Sequence, residues 1–163
     1  MTHDKELLAA IISRRGENLA AQGKWQSAQN EFNRARIVAP IDARPRTGYA
    51  LVVVQLEPTR RADAIGLLQQ VIADSPWYSA AYIALADFSE STKDFSQAEQ
   101  WLKVGLEKNP NEPHLLFALA QLYARQKRVE DARATFTNAL QFETHADDFQ
   151  NIVSDLSKLE SPK

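Results

Sequence analysis

The chain has 163 residues with 44% hydrophobic and 25% charged side chains, a composition typical of a globular protein and not of a disordered or fibrous one. Its formal net charge is −2 at pH 7, which disfavours nucleic acid as a partner because proteins that bind phosphate backbones are usually basic. The chain contains no cysteine, which excludes disulfides and thiolate metal sites, and no apolar stretch approaches the ~20 residues of a membrane span.

The first predicted element is an amphipathic helix near the N-terminus. Leu7, Leu8, Ile11 and Ile12 recur at helical spacing, and two arginines follow them. A secretory signal would instead place positive residues ahead of an apolar core of about 7–15 residues. The sequence therefore predicts no targeting signal here, and the cytoplasm is the expected location.

An internal repeat of about 34 residues organises most of the chain. An alanine recurs in the middle of an apolar helix at gaps of 36, 34 and 34 residues, with core-type residues four and seven positions later. This spacing lies on one face of a helix. A second small residue precedes each alanine, where it would let two helices approach closely. The repeated alanines are Ala28, Ala64, Ala98 and Ala132, and the preceding small residues are Gly16, Ala50, Ala86 and Ala120.

Each repeat unit is therefore predicted to contain two helices joined by a short polar turn. Gly23 suits the first of these turns, because glycine adopts a left-handed backbone conformation without penalty. Gly48 interrupts the first helix of the second unit, at a cost of ~1 kcal/mol relative to alanine. The run over residues 51–54 is wholly apolar, so a strand is the alternative there.

The unit resembles the tetratricopeptide repeat, a helix–turn–helix of about 34 residues with small, aromatic and proline positions like these. The resemblance implies an all-α fold, a right-handed α-solenoid of four helix–turn–helix units in a single domain over residues 1–163. Arg46 departs from the pattern, because the family has a large apolar residue at this position. Apolar residues at helical spacing after the fourth unit predict a capping helix with a polar outer face. The predicted units cover residues 9–42, 43–78, 79–112 and 113–146, and the capping helix covers about 147–160.

Most aromatic side chains are predicted to lie in the core of the helix pairs. Trp25 and Phe95 each precede a repeated alanine by three residues, where the resemblance implies an aromatic that packs the pair. Trp77 and Tyr78 follow a proline in a loop and are expected to wedge between units, whereas Trp101 is rotated off the helix seam and should be partly exposed. The tyrosines predicted on packing faces are Tyr49, Tyr82 and Tyr123.

No residue pattern in the sequence indicates a catalytic or metal site. The motifs HExxH and GxSxG and a glycine-rich phosphate loop are absent. His145, Asp147 and Asp148 could form a cation site, but such a cluster is more typical of a solvated helix start. We therefore expect no enzymatic activity, no cofactor and no bound metal.

The resemblance implies that function resides in a concave groove lined by the first helix of each unit. Arginines near one end, carboxylates in the third unit and an aromatic residue in the fourth favour an amphipathic partner. The carboxylate clamp of some family members is not expected, because Arg14, Gly48 and Ala84 occupy its asparagine-type positions. The predicted groove residues are Ser13, Arg14, Glu17, Arg44, Thr47, Leu51, Gln55, Ile83, Asp87, Glu90, His114, Phe117, Gln121 and Arg125.

These expectations favour a non-catalytic protein–protein interaction module that binds a peptide or a partner helix in the groove and acts as an assembly scaffold. The alternative is a small chaperone of the same repeat type, which would hold a secreted or assembling client protein. Self-association through the repeat ends is a further alternative. The expected partner is another protein or peptide, with no nucleic acid and no direct membrane span.

Overall fold

The computed structural model describes residues 2–142, 150, 151, 153–155, 157 and 158, and all regular secondary structure in this part of the chain is helical. The helices are α1 (Thr2–Ala21), α2 (Trp25–Val38), α3 (Ala43–Leu56), α4 (Arg61–Asp74), α5 (Ser79–Ser91), α6 (Phe95–Lys108), α7 (Pro113–Arg125) and α8 (Val129–Phe142), with a short 3-10 turn at Pro58–Arg60. The all-α prediction is confirmed. Residues 51–54 lie inside α3, so the strand alternative is wrong.

The contacts of the chain group it into two compact units, residues 1–84 and 85–163, and the boundary falls within α5. In the first unit α1 packs on α2, α2 on α3 and α3 on α4, and α1 also contacts α3. In the second unit α7 packs on both α6 and α8. None of the helices within the described residues has the length and apolar character that crossing a bilayer requires.

The repeated small residues lie at the helix contacts, as predicted. Every one of the eight positions is buried, from Gly16 in α1 to Ala132 in α8. Large side chains fill the space behind them, and Phe32, Leu68, Leu102 and Phe136 each follow their alanine by four residues and are almost fully buried. Burial of these alternating small and large residues supplies the apolar contact that holds each helix pair together.

Gly48 has a packing role that offsets its low helix propensity. A Cβ atom built on Gly48 would lie 2.3 Å from Cε1 of Phe32, a separation at which carbon atoms overlap. A Cβ on Gly16 would lie 3.0 Å from the same atom, so the Phe32 ring is held between two glycine positions on α1 and α3. The second helix–turn–helix repeat, residues 43–78, therefore keeps a glycine in mid-helix because an aromatic ring occupies the space that a side chain would need.

Arg46 occupies a buried position in α3 although it is charged. Its Nη1 donates a hydrogen bond to Oδ2 of Asp74 at the end of α4, at 2.6 Å, and its side chain is almost wholly covered. The aliphatic part of arginine packs like an apolar side chain, while the guanidinium reaches a half-exposed carboxylate. This ion pair explains how an arginine replaces the large apolar residue that the family pattern favours.

The turns inside three helix pairs contain a residue in the left-handed region. Gly23 has φ 72°, which confirms the role predicted for it. Lys93 and Lys127 occupy the corresponding places in the later units with φ 63° and 61°. This left-handed conformation is strained for a residue that has a side chain, so each lysine carries a free-energy cost that glycine would not have.

Three tryptophan and phenylalanine side chains are more exposed than predicted. Trp25 is 37% exposed and Phe95 is 36% exposed, so each covers the edge of a helix pair instead of lying in its core. Trp77 is 69% exposed, which contradicts the predicted wedge. All three lie at or just outside the start of a helix, where only one side is covered by neighbours. Tyr82 and Tyr123 are buried as predicted, and Trp101 is partly exposed as predicted. Tyr49 is only partly buried.

In the second compact unit, residues 85–163, Glu99 of α6 joins the helices through a polar cluster. Its carboxylate accepts hydrogen bonds from the Tyr123 hydroxyl at 3.0 Å and from Nη1 of Arg128 at 2.9 Å, and Nζ of Lys103 lies 2.7 Å away. Burial alone would raise the pKa of Glu99, but these donors outweigh it and lower the pKa below its ordinary value. The guanidinium of Arg128 also lies over the ring of Tyr123, 4.1 Å from the centroid.

The predicted capping helix is described only in part. Residues 150, 151, 153–155, 157 and 158 are helical, and Oδ2 of Asp155 accepts a hydrogen bond from Nε2 of Gln121 in α7 at 3.1 Å. Residues 147–149, 152, 156, 159 and 160 lie outside the described residues, as do His145, Asp147 and Asp148 of the cation cluster considered above.

Candidate functional site

Side chains from α1, α2 and α3 and from residues 78–80 surround a pocket of about 360 Å³ in the first unit, which we call the groove pocket. Five of the predicted groove residues lie in its wall, and all of them come from α1 and α3. They are Glu17, Arg44, Thr47, Leu51 and Gln55. The other lining residues are Ala20, Trp25, Phe32, Gly48, Val52, Tyr78 and Ala80.

The apolar part of the groove pocket depends on the packing of Phe32. Because Gly48 has no side chain, the Phe32 ring lies directly against α3 and forms part of the pocket wall. Trp25 and Leu51 are each more than a third exposed at the pocket, so they offer aromatic and aliphatic surface to a ligand. Pockets lined by such side chains with a few polar groups are the usual form of a binding site.

Two charged residues border the groove pocket without being tightly paired. Nε of Arg44 lies 3.9 Å from Oε1 of Glu17, and both side chains are about half exposed. Such an exposed pair contributes little to stability and can exchange its partner at small cost. Burial raises the pKa of the Tyr78 hydroxyl, and the nearby Arg44 guanidinium opposes this rise. The hydroxyl of Tyr78 therefore remains neutral and able to donate near pH 7.

Thr47 lines the same pocket and carries a hydroxyl that protein atoms enclose. The residue is 3% exposed, and its Oγ1 has no hydrogen-bond partner among the described residues. Threonines elsewhere in these helices satisfy their hydroxyls locally, since Thr135 and Thr137 donate to the carbonyl oxygens of Asp131 and Arg133. A buried hydroxyl without a partner costs free energy, which a polar group of a ligand could recover.

The structure corrects the predicted orientation of Ser13 and Thr47, which were placed on the open face of their helices. Ser13 is fully buried, and its hydroxyl donates to the carbonyl oxygen of Ala9 at 2.7 Å. The reason is that α1 contacts both α2 and α3, so its covered face is wider than one helix seam requires. Thr47 is covered in the same way, because α3 contacts α1, α2 and α4. Arg14 is exposed and Ile83 is partly buried, and neither lines the groove pocket.

Three of the groove residues predicted in the second compact unit already have polar partners. Nη2 of Arg125 donates to Oε2 of Glu90 at 2.7 Å, and Gln121 is bonded to Asp155. Asp87 is exposed, but protein atoms around its carboxyl and the charge of Glu90 raise its pKa. Arg125, Glu90 and Gln121 would therefore have to exchange these partners in order to bond a ligand.

The two remaining predicted residues of the second unit differ in burial. Phe117 is partly buried with its ring 5.8 Å from that of Phe136, at a tilt of 53°, so it belongs in part to the core. His114 is exposed at the start of α7. Among the described residues, no three histidine, aspartate or glutamate side chains lie close enough together to hold a metal ion.

Sequence reasoning missed the aromatic contribution to the groove pocket. Trp25 was assigned to the core, and Tyr78 was expected to wedge between repeat units together with Trp77. A larger depression of about 610 Å³ shares Arg44 and Tyr78 with the groove pocket and includes the exposed side chains of Ile41 and Trp77. The spacing of Tyr78 after a repeat-closing proline was the one available signal, and it does not give the direction of the side chain.

Two tetratricopeptide repeat models match the sequence, one over residues 55–116 and the other over residues 105–148. Together they span residues 55–148, which is more than half of the chain. The chain belongs to the tetratricopeptide repeat family. No curated protein sequence is similar enough to match it.

Several solved structures share the fold of this chain at low sequence identity. A chain of the APC/C hetero-tetramer Cut9–Hcn1 matches with a TM-score of 0.71 at 15% identity, over 93% of this chain and 29% of that one. A thermophilic TPR protein of Thermus thermophilus matches with a TM-score of 0.54 at 18% identity, over 93% and 98% of the two chains. MamA of Desulfovibrio magneticus RS-1 matches with a TM-score of 0.55 at 16% identity, over 96% and 94%. These likenesses establish the all-α helical-repeat fold of the α-solenoid class.

Proposed function

We propose that this tetratricopeptide repeat protein is a non-catalytic interaction module, which binds a peptide or a partner helix in the groove pocket and serves as an assembly scaffold. The observation that carries the proposal is the buried, unpartnered hydroxyl of Thr47 beside the exposed apolar surface of Trp25 and Leu51. A pocket with this combination suits a ligand that supplies one apolar side chain and one polar backbone or side-chain group.

The family supports the general form of this function. Tetratricopeptide repeats typically act as binding modules without catalytic activity. One structural relative, the Cut9–Hcn1 hetero-tetramer, is itself an assembly of different chains. We infer that the present chain likewise binds another protein.

The residues of the pocket define the chemistry of the expected ligand. An apolar side chain of the partner would contact Phe32 and Trp25, which bury aromatic area at small entropic cost because aromatic side chains are stiff. Arg44 and Glu17 would bind opposite charges on the partner, because their own pairing is weak at 3.9 Å. The ligand is therefore an amphipathic peptide of mixed charge and not a polyanion.

A peptide selection experiment tests the proposal. A random peptide library is displayed on phage, selected against the immobilised chain, and the best peptides are measured by isothermal titration calorimetry. Leu51→Asp is expected to weaken binding at least roughly tenfold, because it places a charge on the apolar rim. Ile37→Asp is the matched control: Ile37 is exposed on α2 and lies outside the pocket, so the affinity should stay unchanged.

Thr47→Val isolates the role of the hydroxyl. Valine has the shape of threonine, so the variant should be as stable as the parent or more stable, because an unpaired buried hydroxyl is removed. If the ligand uses this hydroxyl, the same variant binds it more weakly. Peptides that bind Leu51→Asp and Thr47→Val as tightly as they bind the parent chain would contradict the groove pocket as the site. Binding only to unfolded client chains, and to no peptide, would favour the chaperone alternative.

A further inference from the structure

Helix α1 has an exposed apolar face that no other described element covers. Leu7, Leu8 and Ile11 are 58%, 49% and 60% exposed, whereas Ala9 and Ile12 are buried against α2. With 3.6 residues per turn, the three exposed side chains lie on the side of α1 opposite its packed face. Exposed aliphatic residues clustered in this way are characteristic of an interaction surface.

The charges along this face are ordered from negative to positive. We call the face the outer stripe, and it consists of Asp4, Leu7, Leu8, Ile11, Arg14 and Arg15. Its acidic end and its basic end are separated by 10 or 11 residues, about 16 Å along the helix axis. The side chain of Arg15 is 70% exposed, and its ion pair with Glu31 is long, with 3.8 Å between Nε and Oε1. The two arginines can therefore bind a carboxylate on another molecule.

We propose that the outer stripe binds the outer stripe of a second copy of this chain, with the two α1 helices antiparallel about a two-fold axis. In that arrangement the apolar residues of the two copies meet at the centre, and Asp4 of each copy meets Arg14 and Arg15 of the other. A parallel arrangement would bring like charges together at both ends, which is unfavourable. The stripe is complementary to itself only when antiparallel, and this selects a second copy as its partner.

The contact is expected to be weak and dependent on concentration. Two helix faces with three aliphatic residues each bury less surface than a stable dimer interface of about 1,200–2,000 Å². Sedimentation velocity across a wide range of protein concentration is therefore the direct measurement. The result expected is a shift from monomer to dimer as concentration rises, and a monomer at every concentration would overturn the proposal.

Charge reversal tests the antiparallel orientation. Arg14→Glu combined with Arg15→Glu should weaken self-association at least roughly tenfold, because acidic groups then face Asp4 of the partner. Asp4→Arg alone should weaken it for the same reason with the signs reversed. Combining the three substitutions in one chain should restore the dimer, since opposite charges meet again. In a parallel dimer none of the single-end reversals would change association, because like charges would replace like charges.

Control variants separate this surface from the groove pocket and from general charge effects. Lys108→Glu with Arg133→Glu gives the same change in net charge on exposed residues of other helices and should leave dimerisation unchanged. Ile11→Glu should abolish the dimer while leaving peptide binding at the groove pocket intact. Dimers that persist in Ile11→Glu, or in the arginine double variant with native helix content by circular dichroism, would overturn the proposal.

Discussion

Replacing Gly48 with alanine tests the packing that forms the groove pocket. On helix propensity alone, Gly48→Ala should stabilise the chain by ~1 kcal/mol. The structure predicts the opposite, because the new Cβ would lie 2.3, 2.5 and 2.7 Å from three atoms of the Phe32 ring. The ring has to move by about 1 Å to restore van der Waals contact, and overpacking of this kind typically costs about 1–3 kcal/mol.

The two effects oppose each other, and their difference sets the expected magnitude. We expect Gly48→Ala to lower the free energy of unfolding by up to about 2 kcal/mol, because the gain of ~1 kcal/mol in propensity offsets only part of an overpacking cost of about 1–3 kcal/mol. Urea denaturation followed by circular dichroism measures this value. Peptide affinity should fall as well, because displacing the Phe32 ring changes a wall of the groove pocket.

A second glycine provides the matched control. Gly66 lies in α4, and a Cβ added there would have no atom of the described residues within 4 Å apart from its chain neighbours and the backbone of its own helix. Gly66→Ala should therefore stabilise the chain by up to ~1 kcal/mol. In a chain that carries Phe32→Leu, Gly48→Ala should become less harmful, since the ring it meets is gone. Equal stabilisation by Gly48→Ala and Gly66→Ala would refute the reasoning.

Three further predictions concern stability, each measured by chemical denaturation. Arg46→Leu should change the free energy of unfolding by less than about 1 kcal/mol, because leucine keeps the apolar packing and water can solvate the half-exposed Asp74. Arg46→Ala should lower the free energy of unfolding by roughly 2–3 kcal/mol, because the packing of the side chain is lost. Lys127→Gly should stabilise by about 1 kcal/mol, because φ is 61° there, while Gln100→Gly at an exposed position inside α6 should destabilise by a similar amount. The pKa of Glu99 in the folded chain is lowered from 4.5, so near and just below pH 4.5 the unfolded chain binds more protons than the folded chain. The free energy of unfolding should therefore fall as the pH drops from 4.5 toward the folded-state pKa. Glu99→Gln should flatten this pH dependence.

The helical repeat could be predicted from the sequence because its signals are local and recur. Each alanine of the series that begins at Ala28 is followed four residues later by a large apolar residue, and both face one seam. The turn at Gly23 follows from the conformational freedom of glycine. These features depend on spacing within one helix pair, which the sequence displays directly.

The details of the groove pocket could not be predicted in the same way, because they depend on contacts between distant residues. The reason for Gly48 is the ring of Phe32, sixteen residues earlier, and the partner of Arg46 is Asp74, twenty-eight residues later. Helical periodicity gives the direction of a side chain but not the width of the face that neighbours cover. Ser13 and Thr47 were therefore placed on the surface although additional helix contacts bury them.

The central claim, that the groove pocket binds a partner chain, is tested most directly by nuclear magnetic resonance. A selected peptide is titrated into the isotope-labelled protein, and changes in backbone amide chemical shifts are assigned along the chain. The account predicts that the largest changes occur at residues around the pocket, including Glu17, Thr47, Leu51 and Gln55. Changes confined to α6, α7 and α8, with the pocket residues unaffected by a bound peptide, would contradict it.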